Sequence, residues 1–179
     1  ATPREVEGST VEFKDKEGRV VLKRTYNSQW SLYAQDELWV EAIDTYYIYD
    51  QFGSLTFVIP PLVETVYSIV DESDGTLTGE VALTSISLET LDALCYQYKY
   101  DYRNRLVEKK LPGKQWEFIV YDKLDRVVAT GPTFSPFSDP EEIGLLGWLI
   151  TKYDAFNRPV YTGWEQSTTI TNAGRLSKQ

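Results

Sequence analysis

The chain has 179 residues, of which 42% are hydrophobic and 25% charged, a composition that is typical of a globular domain and excludes a disordered chain. Its formal net charge of −9 argues against nucleic-acid binding, because an acidic surface repels phosphate groups. It has no histidine, which excludes histidine-dependent catalysis and metal sites with histidine ligands. Its single cysteine, Cys95, excludes an internal disulfide. No apolar run approaches the roughly 20 residues of a membrane helix, so we expect no transmembrane segment.

In chain order, the dominant feature is a six-residue signature, Tyr-Asp-x-x-Gly-Arg, in which Asn or Asp also replaces the glycine. A degenerate copy at 14–19 has Lys14 in the tyrosine position, and a second copy at 49–54 ends in Ser54. The copies at 100–105, 121–126 and 153–158 are the clearest. The repeat-motif residues that we single out, all for a structural role, are Tyr49, Asp50, Gly53, Tyr100, Asp101, Asn104, Arg105, Tyr121, Asp122, Asp125, Arg126, Tyr153, Asp154, Asn157 and Arg158.

The signature predicts a β-hairpin turn. Its aspartate suits the first position of a type I turn, where the carboxylate accepts hydrogen bonds from nearby backbone N–H groups. The fifth position has to adopt a left-handed conformation to close a three-residue loop with a bulge. Gly, Asn and Asp tolerate positive φ at the least cost. We therefore expect positive φ at the five residues that occupy this position: Gly18, Gly53, Asn104, Asp125 and Asn157.

Aromatic and β-branched residues flank these turns, and the chain contains 13 Tyr, 7 Phe and 5 Trp. Such residues favour strands. Tyr96, Tyr98 and Tyr100 alternate with polar residues, so they share one sheet face. We predict a mainly β protein: an open, curved antiparallel ribbon of repeated hairpins, a fragment of a shell, with one short helix. Within a single segment spanning 1–179, hairpin units are predicted near 11–24, 44–60, 96–111, 117–130 and 148–164.

Two insertions separate the hairpins. The insertion at 62–95 contains an acidic turn cluster at 71–75, followed by a predicted short helix over about 87–95 with Ser87 as its N-cap. The insertion at 132–147 contains three prolines and is predicted to be an irregular loop with at most one helical turn near 140–146. The polar stretch from Ser167 onwards is predicted to fray or to be a shortened strand.

At the signature and its flanks the chain resembles the YD-repeat proteins of the RHS family. The resemblance covers roughly residues 40–165 and is carried by the stretches 44–61, 94–114 and 148–163. It implies a β ribbon that spirals into a hollow shell, which encloses a C-terminal toxin in RHS and toxin-complex proteins and has a related form in the cell-surface teneurins. Five copies are too few for a closed shell. The stretch 139–147 is similar to part of the RHS autoprotease, but its glycine spacing differs, so we expect a surface loop there.

The resemblance implies a non-catalytic structural segment of the β-shell of a large secreted or cell-surface bacterial protein, and hence an extracellular or cell-surface location. The chain begins at Ala1 and has no methionine, so we expect it to be processed or excised. The expected partners are neighbouring YD repeats, a toxin cargo or a surface glycan, and other copies of the chain through exposed edge strands. We expect no enzymatic activity, no cofactor and no catalytic or metal-binding residue. The alternative is an extracellular glycan- or protein-binding module that uses an exposed aromatic sheet face.

Several groups of residues could support other chemistry, and in each case we predict a simpler structural role. The aromatic residues could stack on sugars, but cross-strand packing explains their spacing. Each Asp–Arg pair could form a polar site, but a local ion pair beside the turn, worth about 0–1 kcal/mol if exposed, is simpler. The acidic clusters at 71–74 and 139–142 lack the ligand spacing of a calcium loop. No motif selects a carboxylate pair for glycoside hydrolysis. Cys95 is predicted to be a buried structural thiol.

Overall fold

The computed structural model describes residues 8–30, 38–63, 66–70, 77–82, 86–135 and 145–178. These residues form a mainly β protein with open antiparallel sheets and two short helices, which confirms the predicted fold class except for the number of helices. The chain divides into two units, residues 1–96 and 97–179. No helix among the described residues has the length and the apolar character needed to cross a membrane.

The first unit contains a four-stranded antiparallel sheet in which consecutive strands are neighbours. Its strands are β1 Thr10–Lys14, β2 Val20–Trp30, β3 Leu38–Tyr49 and β4 Leu55–Ile59. Two further strands, β5 Val66–Val70 and β6 Leu77–Ala82, form a separate antiparallel pair. The insertion at 62–95 therefore contains strands that the sequence pattern did not indicate, while its acidic turn cluster at 71–75 lies outside the described residues.

The predicted helix of the first unit is confirmed as α1, Leu88–Leu94. Ser87 has an extended backbone and its Oγ accepts a hydrogen bond from the Thr90 amide at 3.0 Å, which satisfies one of the free N–H groups at the helix start. The helix ends at Cys95, whose side chain is fully buried among Ile59 and Val63. Burial raises the pKa of the Cys95 thiol, as expected for an inert structural cysteine.

The second unit is a six-stranded open antiparallel sheet, again with consecutive strands as neighbours, followed by a helix. Its elements are β7 Tyr96–Tyr100, which starts at the boundary of the two units, β8 Leu106–Lys110, β9 Glu117–Tyr121, β10 Val127–Phe134, β11 Leu146–Tyr153, β12 Pro159–Gln166 and α2 Asn172–Lys178. The buried core of this unit is formed by Phe118, Val120, Ala129 and Trp148.

Two sequence-based expectations for the second unit are wrong. The predicted loop at 132–147 is too long, since β10 continues through Pro132 to Phe134 by way of a bulge and β11 begins at Leu146. Residues 136–144, including most of the predicted helical turn, lie outside the described residues. The segment from Ser167 neither frays nor forms a strand, because it ends in α2, whose neighbouring Ile170 packs against the core and whose Lys178 binds Glu165 at 2.7 Å.

All five turns have the predicted backbone. The φ angles are 84° at Gly18, 83° at Gly53, 58° at Asn104, 61° at Asp125 and 62° at Asn157. In each hairpin the strand register shifts by one residue next to the turn, as expected for a three-residue loop closed by a bulge. The prediction of left-handed turn residues is therefore confirmed.

Candidate functional site

In the four copies that contain an arginine, the turn aspartate binds its own turn through both carboxylate oxygens, whereas Asp50, in the copy without arginine, accepts the Phe52 and Ser54 amides through Oδ1. In the copy at 100–105, Oδ1 of Asp101 accepts hydrogen bonds from the amides of Arg103 and Arg105 at 2.9 and 3.0 Å. Oδ2 of Asp101 accepts two more from Nε and Nη2 of Arg105, at 2.8 and 2.6 Å. The same pattern recurs at Asp15, Asp122 and Asp154. The aspartate therefore fixes both the turn and the position of the arginine.

The arginine then contacts the tyrosine of the next copy along the sheet. Cζ of Arg105 lies 4.7 Å from the ring centroid of Tyr121, and Cζ of Arg126 lies 4.8 Å from that of Tyr153. In the first unit, Arg19 lies 4.9 Å from the ring centroid of Tyr49. Each contact is a cation–π interaction between two adjacent hairpins.

The hydroxyl group of the same tyrosine completes the contact. It donates to the backbone carbonyl of the residue that directly follows the arginine of the preceding copy. The three bonds are Tyr49 to Val20 at 3.0 Å, Tyr121 to Leu106 at 3.0 Å, and Tyr153 to Val127 at 2.9 Å. We name this arrangement the repeat clamp: a turn aspartate, the arginine four residues later, and the tyrosine of the next copy.

The fifth turn residue has a second role that the sequence pattern did not indicate. Nη1 of Arg105 donates to Oδ1 of Asp125 at 2.5 Å, and Nη1 of Arg126 donates to Oδ1 of Asn157 at 2.9 Å. At Gly53 an added Cβ would lie 3.0 Å from Nη1 of Arg19, so the guanidinium reaches the same turn position there. Asp and Asn therefore supply both a left-handed turn and an acceptor for the preceding copy.

Burial differs between the clamps. The side chains of Arg105 and Asp101 are only 12% and 10% exposed, whereas that of Arg158 in the last copy is 73% exposed. Burial alone would raise the pKa of Asp101, but hydrogen bonds from the Arg105 side chain and from the Arg105 and Arg103 amides outweigh it and hold the pKa below its usual value. Asp101 is thus a permanent acceptor at neutral pH.

Five described aspartates have a pKa that departs clearly from its usual value. The pKa is lowered in all five, which are Asp15, Asp44, Asp101, Asp122 and Asp154. A general acid for glycoside hydrolysis needs a raised pKa. Among the described residues, no cluster of three acidic or cysteine side chains could hold a metal ion, and the acidic stretches at 71–74 and 139–142 lie outside them.

Several large apolar and aromatic side chains of the repeats lie either in the clamp or exposed in the turns. Tyr49, Tyr121 and Tyr153 belong to the clamp. Large apolar side chains stand exposed in four of the hairpin turns: Phe52, Tyr102, Leu124 and Phe156. The signature leaves the two central turn residues unspecified, so the exposure of these side chains is visible only in the structure.

A groove of about 610 Å³ lies beside the core of the second unit, with Trp116, Phe118 and Ile170 in its wall. Nζ of Lys99 lies 4.2 Å from the ring centroid of Trp116 and forms an ion pair with Glu108 at 2.9 Å. One face of this indole is therefore covered by an ammonium group and is not free to stack on a sugar ring.

The chain matches no protein-family model and no curated protein sequence. Its function is therefore inferred from its own residues, of which the repeat clamp is the most regular arrangement.

Proposed function

We propose that the chain is a non-catalytic structural segment of a YD-repeat wall, part of the β-shell of a large secreted or cell-surface bacterial protein of the RHS type. Its partners would be the neighbouring repeats of the same wall and a toxin cargo that the wall surrounds. The observation that carries this proposal is the repeat clamp, which recurs three times with ring distances between 4.7 and 4.9 Å.

The clamp supports a wall because it uses the motif residues to join one hairpin to the next. In the copy at 121–126, Tyr121 binds the preceding copy while Arg126 binds the following one. Asp122 holds Arg126 in place. A catalytic or ligand-binding site would instead direct such polar groups towards a cavity. In this repeat the recurring motif residues contact the neighbouring hairpins. Such contacts suit a protein that extends by adding hairpins, as repeat proteins do.

Two experiments test the proposal: sequencing of the DNA that flanks the coding region of this chain, and protease treatment of intact cells that make the protein. Further Tyr-Asp-x-x-Gly/Asn/Asp-Arg copies are expected in the same reading frame on both sides of the segment. Protease treatment of intact cells should release peptides of the segment, while a cytoplasmic marker protein stays intact. Absence of further copies on both sides, or protection of the segment together with the marker, would contradict the proposed wall.

The alternative of a glycan- or protein-binding module is favoured by one observation, the exposed turn tips. The Tyr102 side chain, directly after its turn aspartate, is 92% exposed, and Phe52 and Phe156, one position further along their own turns, are 77% and 79% exposed. Binding to an array of bacterial surface glycans, lost on Tyr102→Ala or Phe156→Ala and kept on Tyr161→Ala at the sheet edge, would support this alternative. If the chain binds no glycan on the array, the structural wall remains the better proposal.

A further inference from the structure

The last copy of the signature, at 153–158, has the turn aspartate and the arginine of a clamp, but the described residues contain no tyrosine of a following copy. Asp154 holds Arg158 as Asp101 holds Arg105: Oδ1 accepts the Phe156 and Arg158 amides at 2.8 and 2.9 Å, and Oδ2 accepts Nε of Arg158 at 2.7 Å. Within the described part of the chain, the ring against Arg158 is that of Phe156 in the same turn, 5.4 Å away. The guanidinium is therefore positioned as in the other copies, but 73% exposed.

The residue whose carbonyl would receive a tyrosine hydroxyl, Pro159, is exposed too. Pro159 directly follows Arg158, as Leu106 follows Arg105 and Val127 follows Arg126, and both of those carbonyls accept a tyrosine hydroxyl. Pro159 opens β12, the end strand in the order of the second sheet, and the residues Pro159–Thr162 are exposed. Proline has no N–H group and is tolerated at an edge, so an incoming strand would depend there on side-chain contacts.

We propose that the outer edge of β12 is a docking surface for one further antiparallel hairpin that carries a tyrosine directly before its turn aspartate. The phenol ring lies against Arg158 and its hydroxyl donates to the carbonyl oxygen of Pro159. The fifth turn residue of the incoming hairpin, Asn or Asp, accepts a hydrogen bond from the guanidinium. This inference depends on the proposed function only in taking the hairpin to be a neighbouring repeat.

The chemistry favours such a hairpin over a second copy of this chain. A head-to-tail dimer would pair β12 with β1, the end strand of the first unit's sheet, which has Lys14 in the tyrosine position. An ammonium group opposite Arg158 would repel it and would supply neither the ring nor the hydroxyl. The edge of β12 therefore selects its partner by one aromatic side chain.

The test uses the full chain and a synthetic hairpin of residues 118–131, which contains Tyr121 and is closed by a disulfide between two added terminal cysteines. Ile119 and Thr130 face each other in β9 and β10, and a nuclear Overhauser contact between them verifies the hairpin before use. The chain is either unchanged or Arg158→Gln, and the peptide is either unchanged or Tyr121→Leu. Circular dichroism verifies that the exposed Arg158→Gln substitution leaves the fold intact.

Affinity is measured for the four combinations by titration with NMR detection. The unchanged pair should bind with shifts at the amides of Val160 and Tyr161 rather than at Thr10–Lys14. Each single substitution should weaken binding about tenfold, a loss of roughly 1.4 kcal/mol, and the double substitution no more than the worse single one. This coupling is the signature of an Arg–Tyr contact.

Three results would overturn the inference. The first is no binding at millimolar peptide. The second is binding in which the effects of Arg158→Gln and Tyr121→Leu are independent of each other. The third is that the chain without peptide sediments as a dimer and that Arg158→Gln abolishes this dimer. None of them bears on the flanking copies and surface location that test the proposed wall, so failure of the docking inference and failure of the proposed function are distinguishable.

Discussion

Replacing Arg105 by methionine is the sharpest test of the repeat clamp. Methionine keeps most of the aliphatic stem but removes the guanidinium that joins Asp101, Asp125 and Tyr121. The turn itself should survive, because Asp101 still accepts the amides of residues 103 and 105. The substitution therefore isolates the contact between two hairpins.

The expected cost follows from the three contacts that are lost. The nearly buried, two-point pair with Asp101 contributes about 1.5–3 kcal/mol, the range for hydrogen bonds to charged groups. The contact with the Tyr121 ring adds about 0.5–2 kcal/mol, and the pair with the half-exposed Asp125 adds less than about 1 kcal/mol. Because such contributions are not additive, we expect Arg105→Met to lower the free energy of unfolding by about 3 kcal/mol.

The matched control is Arg158→Met, which removes the same local pair with a turn aspartate where the described residues hold no tyrosine of a further copy. Urea unfolding followed by tryptophan fluorescence, to which the fully buried Trp148 contributes, measures both variants. Arg158→Met should cost clearly less than Arg105→Met. Equal losses would show that the arginine acts only within its own turn and would refute the clamp between repeats.

Three further outcomes are expected in the same unfolding assay. Asn104→Val should cost about 1–2 kcal/mol, because a β-branched residue strains at φ 58°, and more than Asn104→Gly, which keeps that backbone; equal costs would contradict the turn assignment. Tyr121→Phe should cost about 1 kcal/mol through loss of the bond to the Leu106 carbonyl, whereas Tyr161→Phe at the exposed edge should cost nothing measurable. The folded-state pKa of Asp101 is depressed, so its contribution is present above the unfolded-state pKa of about 3.9 and is lost as the pH falls through the folded-state value. Asp101→Asn should therefore be less stable at pH 7 and lose less stability as the pH falls below about 4, and identical acid slopes would contradict this.

The sequence by itself determined the local features of this protein. The five left-handed turn positions and the N-cap of α1 are predictable because few residue types tolerate positive φ or cap a helix. Burial of Cys95 and the mainly β character follow from composition and alternation in the same way. Each of these depends on a stretch of a few residues, so the pattern contains the necessary information.

Only the tertiary structure decided which copies touch and through which atoms. Arg105 and Tyr121 meet because β8 and β9 are paired, and no local signal identifies the Leu106 carbonyl as the acceptor of the Tyr121 hydroxyl. The second role of Asp125, as a partner of Arg105, is likewise hidden behind its turn geometry. The α2 helix was missed because its sequence is polar and short, and its place is set by packing against the core and by an ion pair with β12. Contacts between hairpins depend on strand pairing and register, which bring together residues that are distant in the chain.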